Sequence, residues 1–267
     1  MASKKAKQVA VDLLGQSQKY VQERLEREKT EEGRKERDII GLILRDDQHE
    51  KDPLAEEEIY TMSVTLVGAG SETTSAALTG LMYYLVQDPG TLKKLTAEVR
   101  DAFKTSEDVT VKGVAKLPYL NGAVEEGLRL FIPAPSLPPR VSPPGGHTVN
   151  GEWIPGGVNM VMANYHNSHS DQYFSEAERF RPERWLPRDA GGTDGLHVKN
   201  AYQAFSYGPR NCVGRLLAHT ELRLILAKMV YDFDIELANE VTEWLESAKF
   251  FIAWEMKPLL LKFKPRV

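Results

Sequence analysis

Between Ile59 and Gln87 the chain carries one acidic or basic side chain, Glu72, and meets no proline until Asp88-Pro89. Asp52 is a candidate N-cap and Pro53 suits the first helical position, so the pattern predicts a helix over 53–88. At 1.5 Å per residue it would run roughly 50 Å. Such a helix has two homes. It spans a membrane, or it threads the centre of a globule, uncharged on every side. Nine Ser, Thr or Gln residues and three glycines in the span dilute the apolarity that insertion requires, which favours the globule.

The remaining composition narrows the class. At 267 residues, 42% hydrophobic and 27% charged, the chain can bury a core. A net charge of -4 provides no general attraction for nucleic acid or anionic lipid. One cysteine excludes an internal disulfide framework and any multi-cysteine zinc site, in keeping with a reducing compartment. The opening Met1-Ala2-Ser3-Lys4-Lys5 leads into no apolar run of signal-peptide length, and an intracellular, cytoplasmic chain without a transmembrane anchor is expected.

Taken in order, Ala10, Leu13, Leu14, Tyr20, Val21 and Leu25 recur at helical spacing, and the charged run from Arg24 to Arg37 reads as solvated surface. Ile39–Leu44 is a short apolar patch. A helix is expected over Thr91–Phe103, another over Asn121–Leu130, and a third from Arg215 to about Tyr231. That third helix carries Arg215, His219 and Arg223 on one polar stripe and should otherwise be buried. Four prolines between Pro133 and Arg140 force an extended path. Asn150-Gly151 marks a hairpin, Val158–Ala163 a strand, and Phe250–Trp254 and Leu259–Phe263 two more. His166 and His169 lack acidic or cysteine partners nearby and read as loop histidines, not metal ligands. Gly191–Gly195 is a flexible loop.

Three stretches carry chemistry. Phe205-Ser206-Tyr207-Gly208-Pro209-Arg210-Asn211-Cys212-Val213-Gly214 sets the lone cysteine in a glycine- and proline-shaped turn ahead of an apolar helix. A lone cysteine is ordinarily a small apolar core residue, but a thiolate at a helix N-terminus is also a metal ligand. Ala69-Gly70-Ser71-Glu72-Thr73-Thr74 places small residues and hydroxyls at the middle of the long helix, which suits plain helix packing or the close approach of a flat ligand. Glu126-Gly127-Leu128-Arg129 puts two opposite charges on one helix face, usually a weak surface pair.

Together these stretches resemble the cytochrome P450 family. Phe-x-x-Gly-x-Arg-x-Cys-x-Gly is complete from Phe205 to Gly214 and is similar to its haem signature. Ala69–Thr74 resembles its oxygen-binding segment, Glu126–Arg129 its Glu-x-x-Arg pair, and Arg181-Pro182-Glu183-Arg184-Trp185 its Pro-Glu-Arg segment with Trp185 in the aromatic place. The resemblance implies a mainly α fold with small β-sheets: the C-terminal portion of a cytochrome P450, with the N-terminal portion missing, as a single partial domain. Residues 1–52 would be a leading helix and linker, 53–88 the oxygen-binding helix, and 89–267 the haem-binding region. It further implies heme b with Cys212 as axial thiolate, Phe205, Gly214, Ala69 and Gly70 against the macrocycle, and Arg210 and Arg140 as propionate partners. Thr73 would hydrogen-bond oxygen and Glu72 relay protons, while Glu126, Arg129 and Arg184 form a structural network. The activity implied is insertion of one atom of O2 into an apolar small molecule, with electrons from NADPH-cytochrome P450 reductase. Microsomal relatives are anchored at the endoplasmic reticulum. The Pro-Glu-Arg-Trp region resembles fungal members in secondary metabolism. The competing expectation is a truncated, catalytically incompetent fragment or a non-enzymatic binding module.

Overall fold

The computed structural model describes residues 4–47, 54–136, 138–192, 195, 197–239, 243–250 and 254–266. The chain divides into two compact units, Met1–Glu72 and Thr73–Val267.

The first unit holds α1 (Lys4–Glu28), α2 (Ile39–Asp47) and the start of α3 (Glu56–Gln87). The expected cap at Asp52-Pro53 lies outside the described residues. Ile39–Leu44, read as an apolar patch, is the body of α2. Arg24 corrects the solvated reading of the charged run, since it is only 2% exposed. Its Nε donates to Asp38 Oδ2 at 2.6 Å, Nη1 to Glu28 Oε2 at 2.8 Å and Nη2 to the Gly33 carbonyl at 3.2 Å. A guanidinium leaves water at tolerable cost when its donors meet acceptors in this way. Asp38 also caps α2 by accepting from the Gly41 amide at 2.6 Å. Burial alone would raise the Asp38 pKa, but the Gly41 amide and Arg24 outweigh it and hold it below the ordinary carboxylate value. A Cβ at Gly33 would stand 1.8 Å from the Arg27 carbonyl oxygen, so this turn admits only glycine. Glu26, Lys29, Glu31, Glu32, Arg34, Lys35 and Arg37 are exposed, as the charged run predicts.

The second unit continues α3 and adds α4 (Pro89–Ala102), α5 (Val111–Val114), α6 (Pro118–Leu130), β1 (Arg140–Val141), β2 (His147–Val149), β3 (Glu152–Ile154), β4 (Asn159–Met160) and α7 (Asn164–Ser168). After a long irregular stretch come α8 (Arg215–Asp232), β5 (Phe233–Leu237), β6 (Lys249–Phe250), β7 (Trp254–Glu255) and β8 (Leu261–Pro265). Its core forms where α3, α4, α6 and α8 meet, with Leu81, Leu85, Leu95, Leu120, Val124, Leu222 and Leu226 fully enclosed. Asp88 both ends α3 and starts α4: its carboxylate accepts from the Gly90 and Thr91 amides at 3.0 and 3.1 Å, and Pro89 takes the first helical position. Helix α4 therefore starts two residues before the expected Thr91.

The four sheets among the described residues are two-stranded and antiparallel: β1 with β4, β2 with β3, β5 with β8, and β6 with β7. Asn150 and Gly151 turn the β2–β3 hairpin with φ of +50° and +89°, the left-handed pair that matches strand twist. The expected Val158–Ala163 strand pairs only at Asn159–Met160, because its partner emerges from Pro138-Pro139, which have no N–H to extend the ladder. The Phe250–Trp254 strand is a hairpin, β6 and β7, with 251–253 outside the described residues. Thr193 and Asp194 of the expected Gly191–Gly195 loop also lie outside them.

Helix α8 buries Leu222, Leu226 and Val230, yet its entrance is bare: Val213 is 88% and Leu216 82% exposed. Burial therefore holds for the middle and end of α8, while its first turn finds no cover among the described residues. Among those residues no helix is long and apolar enough to cross a membrane.

Candidate cofactor site

The loop before α8 is closed by its own backbone. The Cys212 amide donates to the Phe205 carbonyl at 2.9 Å and the Asn211 amide to the Gly208 carbonyl at 3.0 Å. Such a turn needs positive φ, which Gly208 (+85°) adopts freely and Ser206 (+61°) adopts under strain. Cys212 is left exposed with a free thiol. A Cβ on Gly214 would stand 3.8 Å from Cys212 Sγ, an ordinary contact, so nothing among the described residues demands glycine there.

The thiol opens into a cleft of about 310 Å³ within the second unit. Thr73, Thr74 and Ala77 of α3, Leu128 of α6, Pro133, Ala134, Pro138 and Arg140, Phe205 and Arg210, and Ala218 and Leu222 of α8 line it. Six of the sequence-derived residues are thereby placed: Cys212, Arg210, Arg140, Phe205 and Thr73 share the cleft, and Gly214 adjoins the sulfur. Ala69, Gly70 and Glu72 belong to the other unit and are exposed.

The donor set of this cleft suits one kind of group. Its walls are mostly apolar, its one soft ligand is a thiol, and neither the Arg140 nor the Arg210 guanidinium has a hydrogen-bond or ion-pair partner among the described residues. An apolar macrocycle with a thiolate-seeking metal and two carboxylates, such as haem, meets all three features.

Beneath the cleft, α6 carries the network. Glu126 and Arg129 are wholly buried. Arg129 Nε donates to Glu126 Oε2 and Nη2 to Oε1, both at 2.9 Å, a fork-to-fork pair. Arg184 Nε and the Arg181 amide also donate to Oε1, each at 3.0 Å, and the Trp185 indole N–H donates to Oε2 at 2.8 Å. Burial alone would raise the Glu126 pKa, but Arg129, Arg184 and Trp185 hold it below the ordinary value. Arg129 Nη1 donates further to the Ser168 carbonyl, and Arg184 Nη1 to that of Ser175 at 3.0 Å. One carboxylate thus ties α6, the chain after α7 and the 181–185 turn together. The Trp185 donor was not anticipated as a member, although the sequence offers the signal: of the aromatic residues that could fill its place, Trp adds an N–H aimed out of the ring.

A family model described as cytochrome P450 matches residues 2–263. The chain belongs to the cytochrome P450 family. Two relatives illustrate how much of a cytochrome P450 is in hand. The cytochrome P450 monooxygenase astJ of Aspergillus oryzae is 41% identical over 231 residues, 86% of this chain and 45% of that protein. The cytochrome P450 monooxygenase FUM2 of Gibberella moniliformis is 40% identical over 233 residues, 87% of this chain and 48% of that protein. The chain spans about half the length of these cytochrome P450 relatives.

Against the cysteine loop of this cytochrome P450 chain lies a histidine read from sequence as part of a polar stripe. His219 is instead buried, its ring 4.9 Å from that of Phe205 and its Nδ1 3.7 Å from a Glu125 carboxylate oxygen. The contact is not a charged pair. Burial first, then the charges of Arg223 and Arg215, lower the His219 pKa to about 4. Burial raises that of Glu125 against the same two arginines and the neighbouring Tyr202. The unfolded ring takes a proton near pH 6.5, the folded ring only near 4, so between these values the unfolded state binds more protons. Stability is therefore expected to fall as pH drops from 6.5 to 4. His219→Phe should flatten that slope in urea melts at pH 7 and 4.5, and equal slopes for both proteins would contradict this account.

His169 Nδ1 lies 2.9 Å from the Tyr165 carbonyl and its ring stacks on that of Tyr165. Among the described residues no group of three His, Cys, Asp or Glu gathers to hold an ion.

Proposed function

We propose that this chain is the haem-carrying part of a haem-thiolate monooxygenase that oxidises an apolar small molecule of fungal secondary metabolism. The observation that carries the reading is the convergence on one apolar cleft of one exposed thiol and two guanidiniums that have no partner among the described residues. Cys212 would hold the haem iron through its sulfur, and Arg140 and Arg210 would pair with the propionates. When bound, haem supplies the activation of O2, for which thiolate ligation is suited.

The chain's own residues do the rest. Thr73 presents a hydroxyl at the α3 wall, where it would hold a proton at Oγ1, and Glu72, the preceding residue, would exchange that proton with solvent. Pro133, Ala134 and Leu128 would orient an apolar substrate and exclude water. Electrons would come from NADPH through cytochrome P450 reductase. The relatives named above are monooxygenases as whole proteins, so activity in this half-length chain is part of the proposal.

A second reading has its own observation. The bare entrance of α8 at Val213 and Leu216 lies beside the thiol, and a cleft so uncovered would hold haem weakly or not at all. Titration with hemin separates the two. A one-to-one Soret difference that saturates supports the first reading, and a response indistinguishable from that of an unrelated protein supports an incompetent fragment.

A further inference from the structure

The proline-rich wall of the cleft cannot hold itself in place. Pro133, Pro135, Pro138 and Pro139 have no N–H, so this segment makes no ladder before β1 and must be fixed from outside. Two donors do so. The Tyr165 amide donates to the Pro135 carbonyl at 3.0 Å. The Trp254 indole Nε1 donates to the Ile132 carbonyl at 2.8 Å, one residue ahead of the first lining proline.

That indole is itself held firmly. Its ring lies 5.0 Å from that of Phe131 and 5.5 Å from that of Phe250. Phe131 is buried against α3 so closely that a Cβ on Gly80 would stand 2.2 Å from its Cγ. Trp244, stacked at 4.8 Å on Tyr83, donates its own N–H elsewhere, to the Lys257 carbonyl at 2.8 Å. An unbroken path of contacts runs from α3 through Phe131 to Trp254, and from Trp254 to the carbonyl that begins the loop.

We propose that Trp254 is a positioning residue for ligand size: through its bond to the Ile132 carbonyl it sets how far Pro133, Ala134 and Pro138 stand from the thiol. The proposal rests on the reading of this cleft as the substrate pocket. Trp254→Phe tests it, since phenylalanine keeps the aromatic packing and deletes the one donor. Trp244→Phe is the control, losing an equivalent bond that does not touch the loop.

The first readout needs no haem. Hydrogen exchange at the Ala134 and Tyr165 amides should quicken about five- to tenfold in Trp254→Phe, the range for loss of one such bond, with α6 unchanged and Trp244→Phe at the wild-type rate. Unchanged exchange overturns the proposal, and so does a uniform rise that includes α6, since Trp254 would then support only the fold. The second uses the haem-loaded protein. The affinity ratio of 4-phenylimidazole to imidazole, read from the Soret shift, should move toward the bulkier ligand in Trp254→Phe alone, and an unmoved ratio overturns the proposal. Failure to load haem counts against the proposed function, and the exchange readout then decides the Trp254 inference.

Discussion

Arg129→Ala is expected to abolish cooperative folding of the second unit. The substitution leaves the Glu126 carboxylate wholly buried with its bidentate partner gone, and frees the Ser168 carbonyl as well. Breaking a buried pair in this way costs about 3–5 kcal/mol. Stabilities of single domains are only about 5–15 kcal/mol, so this one loss consumes much or all of the margin. Arg129→Lys should fall little short of it, because an ammonium cannot span both carboxylate oxygens and the Ser168 carbonyl at once. The double variant Glu126→Gln with Arg129→Met removes both charges and should be less harmful than Arg129→Ala alone. Urea melts followed by circular dichroism measure all three. An Arg129→Ala midpoint close to that of the wild type would mean that Arg184 and Trp185 suffice to hold Glu126.

Cys212→Ala is expected to have the opposite profile, intact folding with complete loss of thiolate character in any bound haem. Its side chain is exposed and outside the core, so circular dichroism and the urea midpoint should match the wild type. The bonds that shape the loop come from the backbone, Cys212 N–H to the Phe205 carbonyl among them, and alanine keeps them. Only the sulfur is lost. A folded Cys212→Ala that retained a thiolate-type spectrum would remove Cys212 from the site, because the chain has no other cysteine.

The two profiles follow from what each residue touches, and the same distinction separates what was legible in the sequence from what was not. The uncharged span from Ile59 to Gln87 announces a long helix, and Asn150-Gly151 announces a hairpin, because local pattern and local geometry agree there. Arg24 was illegible. Its burial depends on Asp38, fourteen residues on, folding back to meet it, and a charged run carries no mark of which member turns inward. His219 misled for a similar reason: helical spacing put it with Arg215 and Arg223, while the face that α8 buries is decided by Phe205 and Glu125 from other elements. Strand β5 was missed because its partner β8 lies more than twenty residues away, a pairing that no local window contains. In the cleft, the cysteine stretch and the proline run could each be found alone, and the structure puts residues of both around the same cleft. The Trp254 anchor left no signal in sequence, since nothing there says which carbonyl an indole will meet.

The central claim is that the Cys212 thiolate, with Arg140 and Arg210 in an apolar cleft, holds haem. The most direct measurement is the absorption spectrum of the hemin-reconstituted, dithionite-reduced protein under carbon monoxide. The account predicts the red-shifted Soret band of thiolate-ligated haem, absent from Cys212→Ala prepared in parallel. No carbon monoxide complex, or a band identical in the two proteins, would contradict it.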